Sequence, residues 1–121
     1  MALPTTKKQM MTLASFVTTK LFSSDLLRDL INDQLIIIDD TYAIDGLANA
    51  IACIHSGLSH PPIHVIQGQD QLRLTIVTGQ TALLAASHVN NTNVTVTVLS
   101  ATATEEAQAQ FIELAKTATN G

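Results

Sequence analysis

Tryptophan is missing from this 121-residue chain, cysteine occurs once, proline three times, and aromatic residues make up only 3%. Each scarcity removes a class of protein. A lone cysteine, Cys53, cannot close an internal disulfide, and its place in the middle of a helical pattern reads as a small buried hydrophobe in a reducing, cytoplasmic setting. Phe16, Phe22, Tyr42 and Phe111 are too few and too scattered to stack nucleic-acid bases. The permanent cations Lys7, Lys8, Lys20, Arg28, Arg73 and Lys116 number six against ten carboxylates, a net charge of −4. No basic stripe exists for phosphates, so nucleic acid is not an expected partner. Long apolar runs are scarce too: residues 10–17 are broken by Thr12 and Ser15 and followed by Lys20, which suits neither a signal peptide nor a membrane span.

What is present is apolar. Hydrophobic residues make up 46% of the chain and charged residues only 13%, roughly half the usual charged share. With little charge to cover a surface, part of that surface is expected to be covered by other copies of the chain, making a homo-oligomer. The length suits a single compact domain with one ordinary core.

The pattern divides at residue 33. Thr6 to Gln9 has the spacing of a capping box, and Met10, Leu13, Ala14, Val17 and Leu21 fall on one helical face. A second short helix follows a Ser24-Asp25 cap, with Leu26, Leu27, Leu30 and Ile31 toward the core. Residues 1–33 thus read as an N-terminal helical pair, an extension to an α+β core domain over 34–121.

That core opens on the apolar run 35–38, expected as a central strand, ending in Asp39 and Asp40. A helix follows with Ala43, Leu47, Ala50, Ile51, Ile54 and Leu58 on one stripe, and Gly57 as its C-cap. Gly46 lies inside this pattern, where a missing Cβ allows close packing. Pro61 and Pro62 force an extended connector. The runs 63–67 and 71–77 are joined by only Gly68, Gln69 and Asp70, which makes an antiparallel hairpin. Gly79 ends the second strand and 81–89 is a helix. Val94, Val96 and Val98 alternate with Thr95 and Thr97 in a last strand, and the stretch Thr102 to Glu105, spaced as a capping box, caps a helix that buries Ala107, Phe111, Leu114 and Ala115. The order is β-α-β-β-α-β, a ferredoxin-like core with a C-terminal helix, its helices expected on one sheet face and the other face wet, covered by the N-terminal helices or buried in an oligomer.

Candidate chemistry is thin. The pair Asp39 and Asp40 resembles the acidic start of a bacterial receiver domain, but 77–79 reads Val-Thr-Gly where such a domain carries its phospho-acceptor Asp. Asp40 and Asp45 are therefore assigned to the helix N-terminus. His55, His60 and His64 cluster in sequence but sit on a helix end, beside prolines and on a strand, a spacing that converges on no metal; His64 reads as a half-exposed strand residue. With no phosphate loop and no nucleophile elbow, neither cofactor nor metal is expected and the chain reads as non-enzymatic.

Residues 34–99 resemble the bacterial microcompartment shell domain. The likeness is carried by 43–50, an Ala-rich helix with an early acid, and by 74–86, a strand, a turn at Gly79-Gln80 where the family usually has Gly-Asp, and a second Ala-rich helix. The resemblance implies a β-α-β-β-α-β fold that tiles as hexamers, and it matches Gly68, Gln69, Asp70 and Gln71 to the family's pore loop. The family's lysine near the end of the first helix has no counterpart at 53–57. The expected function is a self-associating scaffold of the shell-protein kind. The alternative is an ACT-like regulatory module holding a small molecule at a subunit interface, with Gly46, Ser59 and His60 toward the ligand.

Overall fold

The computed structural model describes residues 6–37, 46–57, 62–69 and 73–120. Thr6 opens α1 (Lys7–Ala14) with the expected capping box. Its hydroxyl accepts from the Gln9 N–H at 3.1 Å, and the Gln9 side-chain oxygen accepts from the Thr6 N–H at 3.3 Å. The helix does not run on to Leu21. It stops at Ala14, and the chain turns through Ser15 and Phe16 into the strand β1 (Val17–Ser23). Val17, Thr18 and Thr19 are β-branched and disfavour a helix interior, and a valine-rich strand elsewhere in the chain offers β1 a ladder. The expected helical pair is therefore helix, strand, helix.

Ser23 ends β1 and caps α2 (Ser24–Asn32), its hydroxyl accepting from the Leu26 N–H at 3.1 Å. Leu27 is buried and Leu30 and Ile31 pack beside it, while Leu26 points to solvent. Past α2, Gln34 takes the left-handed conformation (φ 62°), and the N–H groups of Gln34 and Leu35 close on Ile31 and Leu30 carbonyls. Of the run expected as a central strand, the described residues, 35–37, make one parallel bridge, Ile36 to Leu74, at the outer side of a neighbouring strand; Ile36 is buried and Ile37 is 71% exposed. Asp39, Asp40, Ala43 and Asp45 lie outside the described residues.

The remaining elements follow the expected order: α3 (Leu47–His55), β2 (Ile63–Gln67), β3 (Leu74–Thr78), α4 (Gln80–His88), β4 (Asn93–Leu99) and α5 (Glu105–Asn120). Gly57 closes α3 at φ 75°, and β2 and β3 form the antiparallel hairpin. Gly46 precedes α3 with φ 77°, and a Cβ there would meet nothing within 4 Å. Conformation rather than close packing requires the glycine. Cys53 is half-buried rather than enclosed, and Leu114 is exposed beside the buried Ala107, Phe111 and Ala115.

The sheet has four strands in the order β1-β4-β2-β3. Strand β4 pairs antiparallel with β1 along its full length and parallel with β2. This is an α+β fold, but its strand order departs from the ferredoxin-like expectation. The flank of β4 is taken by β1, a seven-residue strand from the segment expected to be helical, and Ile36 bridges to the far side of the sheet at β3.

Helices cover both faces, the second by α1 of the N-terminal segment together with the C-terminal helix α5. Val94, Val96, Val98, Ile63, Val65, Leu74 and Phe22 project toward α2, α3 and α4 in the larger cluster. On the opposite face Leu99, Val17, Ile66 and Val77 meet Leu13 of α1 and Ala107 and Phe111 of α5. Period-two alternation sends neighbours of each strand to opposite layers. Val94 to Val98 thus anchor one core while Leu99 anchors the other.

Candidate functional site

His64 is buried at 8% exposure rather than half-exposed. Its Nδ1 lies 3.0 Å from the Thr78 hydroxyl on the paired strand, and its ring meets Phe111 of α5 edge-on, centroids 5.6 Å apart. The Thr78 hydroxyl also lies 3.5 Å from the Pro62 carbonyl, which lets it donate there and accept from Nδ1–H. Burial holds the imidazole pKa below its ordinary 6.5. The ring is a neutral packing group. His55 sits exposed at the end of α3, and His60 is outside the described residues. Among the described residues no three His, Cys, Asp or Glu side chains converge to hold a metal ion.

Gly46 is an exposed helix start, and Ser59, Asp70 and Gln71 lie outside the described residues. Gly68 and Gln69 do line a feature, a cleft of about 240 Å³ at the carboxyl ends of β2 and β4. Arg28 forms another polar cluster: Nε donates to the Ser87 carbonyl at 2.8 Å, Nη1 to Asp25 at 3.0 Å and Nη2 to Asn90 at 3.1 Å. It satisfies the C-terminal end of α4 and ties it to α2, a structural use of the guanidinium fork.

Sequence reasoning missed the outer edge of β1. The Phe16 carbonyl accepts from Ser100 N–H and the Ser24 N–H donates to Thr92, both at 2.8 Å, so the even-numbered residues between them bond to β4. By the antiparallel alternation, the main-chain groups of Val17, Thr19 and Leu21 point away from the sheet. Among the described residues no strand pairs with them. Thr18, Thr19, Lys20 and Leu21 are all exposed, the apolar Leu21 at 69%. The signal was the β-branched run 17–19, hidden by the spacing of Leu13, Val17 and Leu21, which imitates a helix.

Among the described residues no helix is long and apolar enough to cross a membrane. No family model, no curated protein and no solved structure matches this chain.

Proposed function

We propose that this protein is a non-catalytic, self-associating structural module whose copies join through β1. The observation that carries this reading is the outward row of main-chain donors and acceptors at Val17, Thr19 and Leu21, with Leu21 uncovered beside it. A sheet edge of this kind is a template for another strand. The low charge of the chain is consistent with surface set aside for its own copies.

The strand is compatible with a copy of itself. A two-fold axis normal to the sheet at Thr19 sets Thr19 opposite Thr19, Val17 opposite the second copy's Leu21, and Thr18 opposite its Lys20. Every opposed pair then lies on one face, with the two apolar residues together. An axis at Lys20 would instead oppose two ammonium groups, so charge selects against that register. Burying Leu21 contributes up to ~1.5–3 kcal/mol per copy, against an association cost of ~4–15 kcal/mol. The strand hydrogen bonds must supply part of the difference, and the assembly is expected to depend on concentration.

Light scattering after size-exclusion chromatography tests this. The native chain is expected to move from monomer toward dimer mass as concentration rises. Thr19→Pro removes an outward N–H without touching the ladder to β4 and is expected to stay monomeric with the same circular dichroism. A native chain that remains a monomer at high concentration would sink the reading.

A further inference from the structure

We infer that the cleft at the carboxyl ends of β2 and β4 is a binding site for a neutral polyhydroxylated molecule of monosaccharide size. The cleft's floor is a row across three strands on the α5 face: Thr75 of β3, Ile66 of β2 and Leu99 of β4, neighbours by register. Gly68 and Gln69 form one rim at the end of β2. Ser100, Ala101 and Ala103 form the other as β4 leaves the sheet, and Gln108 closes it from the end of the first turn of α5. The space exists because the covering residues are small. Ala103 and Ala107 precede Phe111, the first large side chain that α5 presses onto the sheet.

The rim is held before any ligand arrives. The Ser100 N–H donates to the Phe16 carbonyl at 2.8 Å, its hydroxyl sits 2.8 Å from the Thr102 hydroxyl, and Ala103 N–H closes on the Ser100 carbonyl at 3.1 Å. Thr104 then fixes the start of α5 by accepting from Ala107 N–H at 3.1 Å. On the other rim, the Gly68 N–H donates to the Arg73 carbonyl at 2.7 Å. A pre-set cleft spares a ligand the cost of ordering it.

The lining selects the chemistry. Gln69, Gln108, Thr75 and Ser100 carry groups that both donate and accept, as hydroxyl groups also do. Among the described lining residues no side chain is ionisable, so what they offer a ligand is neutral hydrogen bonding. Glu105 and Glu106 in the first turn of α5 offset the positive N-terminal end of the helix, which would otherwise favour an anion. Ile66, with the methyl groups of Ala101 and Ala103 over the buried Leu99, offers a narrow apolar strip suited to the C–H face of a sugar and too small to hold a wholly apolar ligand. The cleft is formed by elements other than the β1 edge, so the inference stands apart from self-association.

Amide-resolved NMR titration of the full chain tests it, using D-glucose, D-ribose, myo-inositol and glycerol, with citrate, spermidine and nicotinamide for contrast. At least one polyol is expected to shift the backbone amides of Gly68, Gln69, Ser100, Ala101 and Gln108 progressively, leaving those of β1 in place. Gln108→Ala, at an exposed helix position, and Thr75→Val, which keeps the floor's shape, are each expected to weaken that response about two- to tenfold. The Thr19→Pro chain is expected to respond like the native one. No localised shift with any of the four polyols, or an equal response to citrate, spermidine or nicotinamide, overturns the inference.

Discussion

His64 shows how one buried polar side chain sets a condition on the fold. Its ring lies between Thr78 and the edge of Phe111, at the junction of the β2–β3 hairpin with α5. Burial disfavours the imidazolium, so the folded pKa is lower than the ordinary 6.5 that the unfolded chain retains. Above 6.5 the ring is neutral in both states and stability does not depend on it. As pH falls below 6.5 the unfolded chain takes up a proton that the folded chain refuses, and stability drops until the folded value is reached. Urea midpoints of the native chain are therefore expected to fall between pH 6.5 and about 5, above the range where carboxylates titrate. His64→Gln, which can still meet Thr78, is expected to flatten that slope. An unchanged slope in the variant would show that other groups set it.

At the scale of elements, the two left-handed glycines before helices separate conformation from packing. Gly79 joins β3 to α4 at φ 88°, and a Cβ there would lie 2.6 Å from the Pro62 carbonyl oxygen and 2.8 Å from the Ile63 Cα, both backbone atoms. Gly46 has a similar φ and open space around it. Gly46→Ala is expected to cost ~1–2 kcal/mol, the left-handed penalty alone. Gly79→Ala is expected to cost distinctly more, because β2 must move as well; equal losses in chemical denaturation would refute this. Such junctions were partly legible in the sequence: Gly57 and Gly79 both ended elements where expected, and the alternation of Val94 to Val98 marked β4 without reference to its partners. What was not legible depended on partners far along the chain. Leu13, Val17 and Leu21 fit a helical spacing, and only the ladder to Thr95, Thr97 and Leu99 decides for a strand. The same holds for the cleft. Gly68 and Gln69 stood out as a loop, but Thr75, Ile66, Leu99 and Gln108 meet only through strand pairing and the placement of α5.

At the scale of the whole molecule, the segment that reads as an extension shares the sheet and core of the rest. Phe22 and Leu27 are buried in the larger cluster beside Val94, Val96 and Ala86, and Ser24 is held to Thr92 through both its N–H and its hydroxyl. A chain beginning at residue 34 would lose these two side chains, at ~1.5–3 kcal/mol each. It would also lose a seven-residue ladder whose hydrogen bonds contribute ~0.5–1.5 kcal/mol apiece. That loss is of the same size as the ~5–15 kcal/mol net stability typical of a whole domain. The truncated chain is expected to show no cooperative urea transition, whereas Phe22→Ala alone, at roughly 3–5 kcal/mol, leaves a weakened one. A cooperative transition in the truncated chain would mean that β2, β3 and β4 fold without β1, and that the N-terminal segment is an addition to a finished core. Thr19→Pro supplies the contrast, since it acts on the outer side of β1 and leaves the inner side paired. If truncation abolishes folding while Thr19→Pro abolishes only association, β1 serves two partners: β4 of its own chain on one side and a second copy on the other.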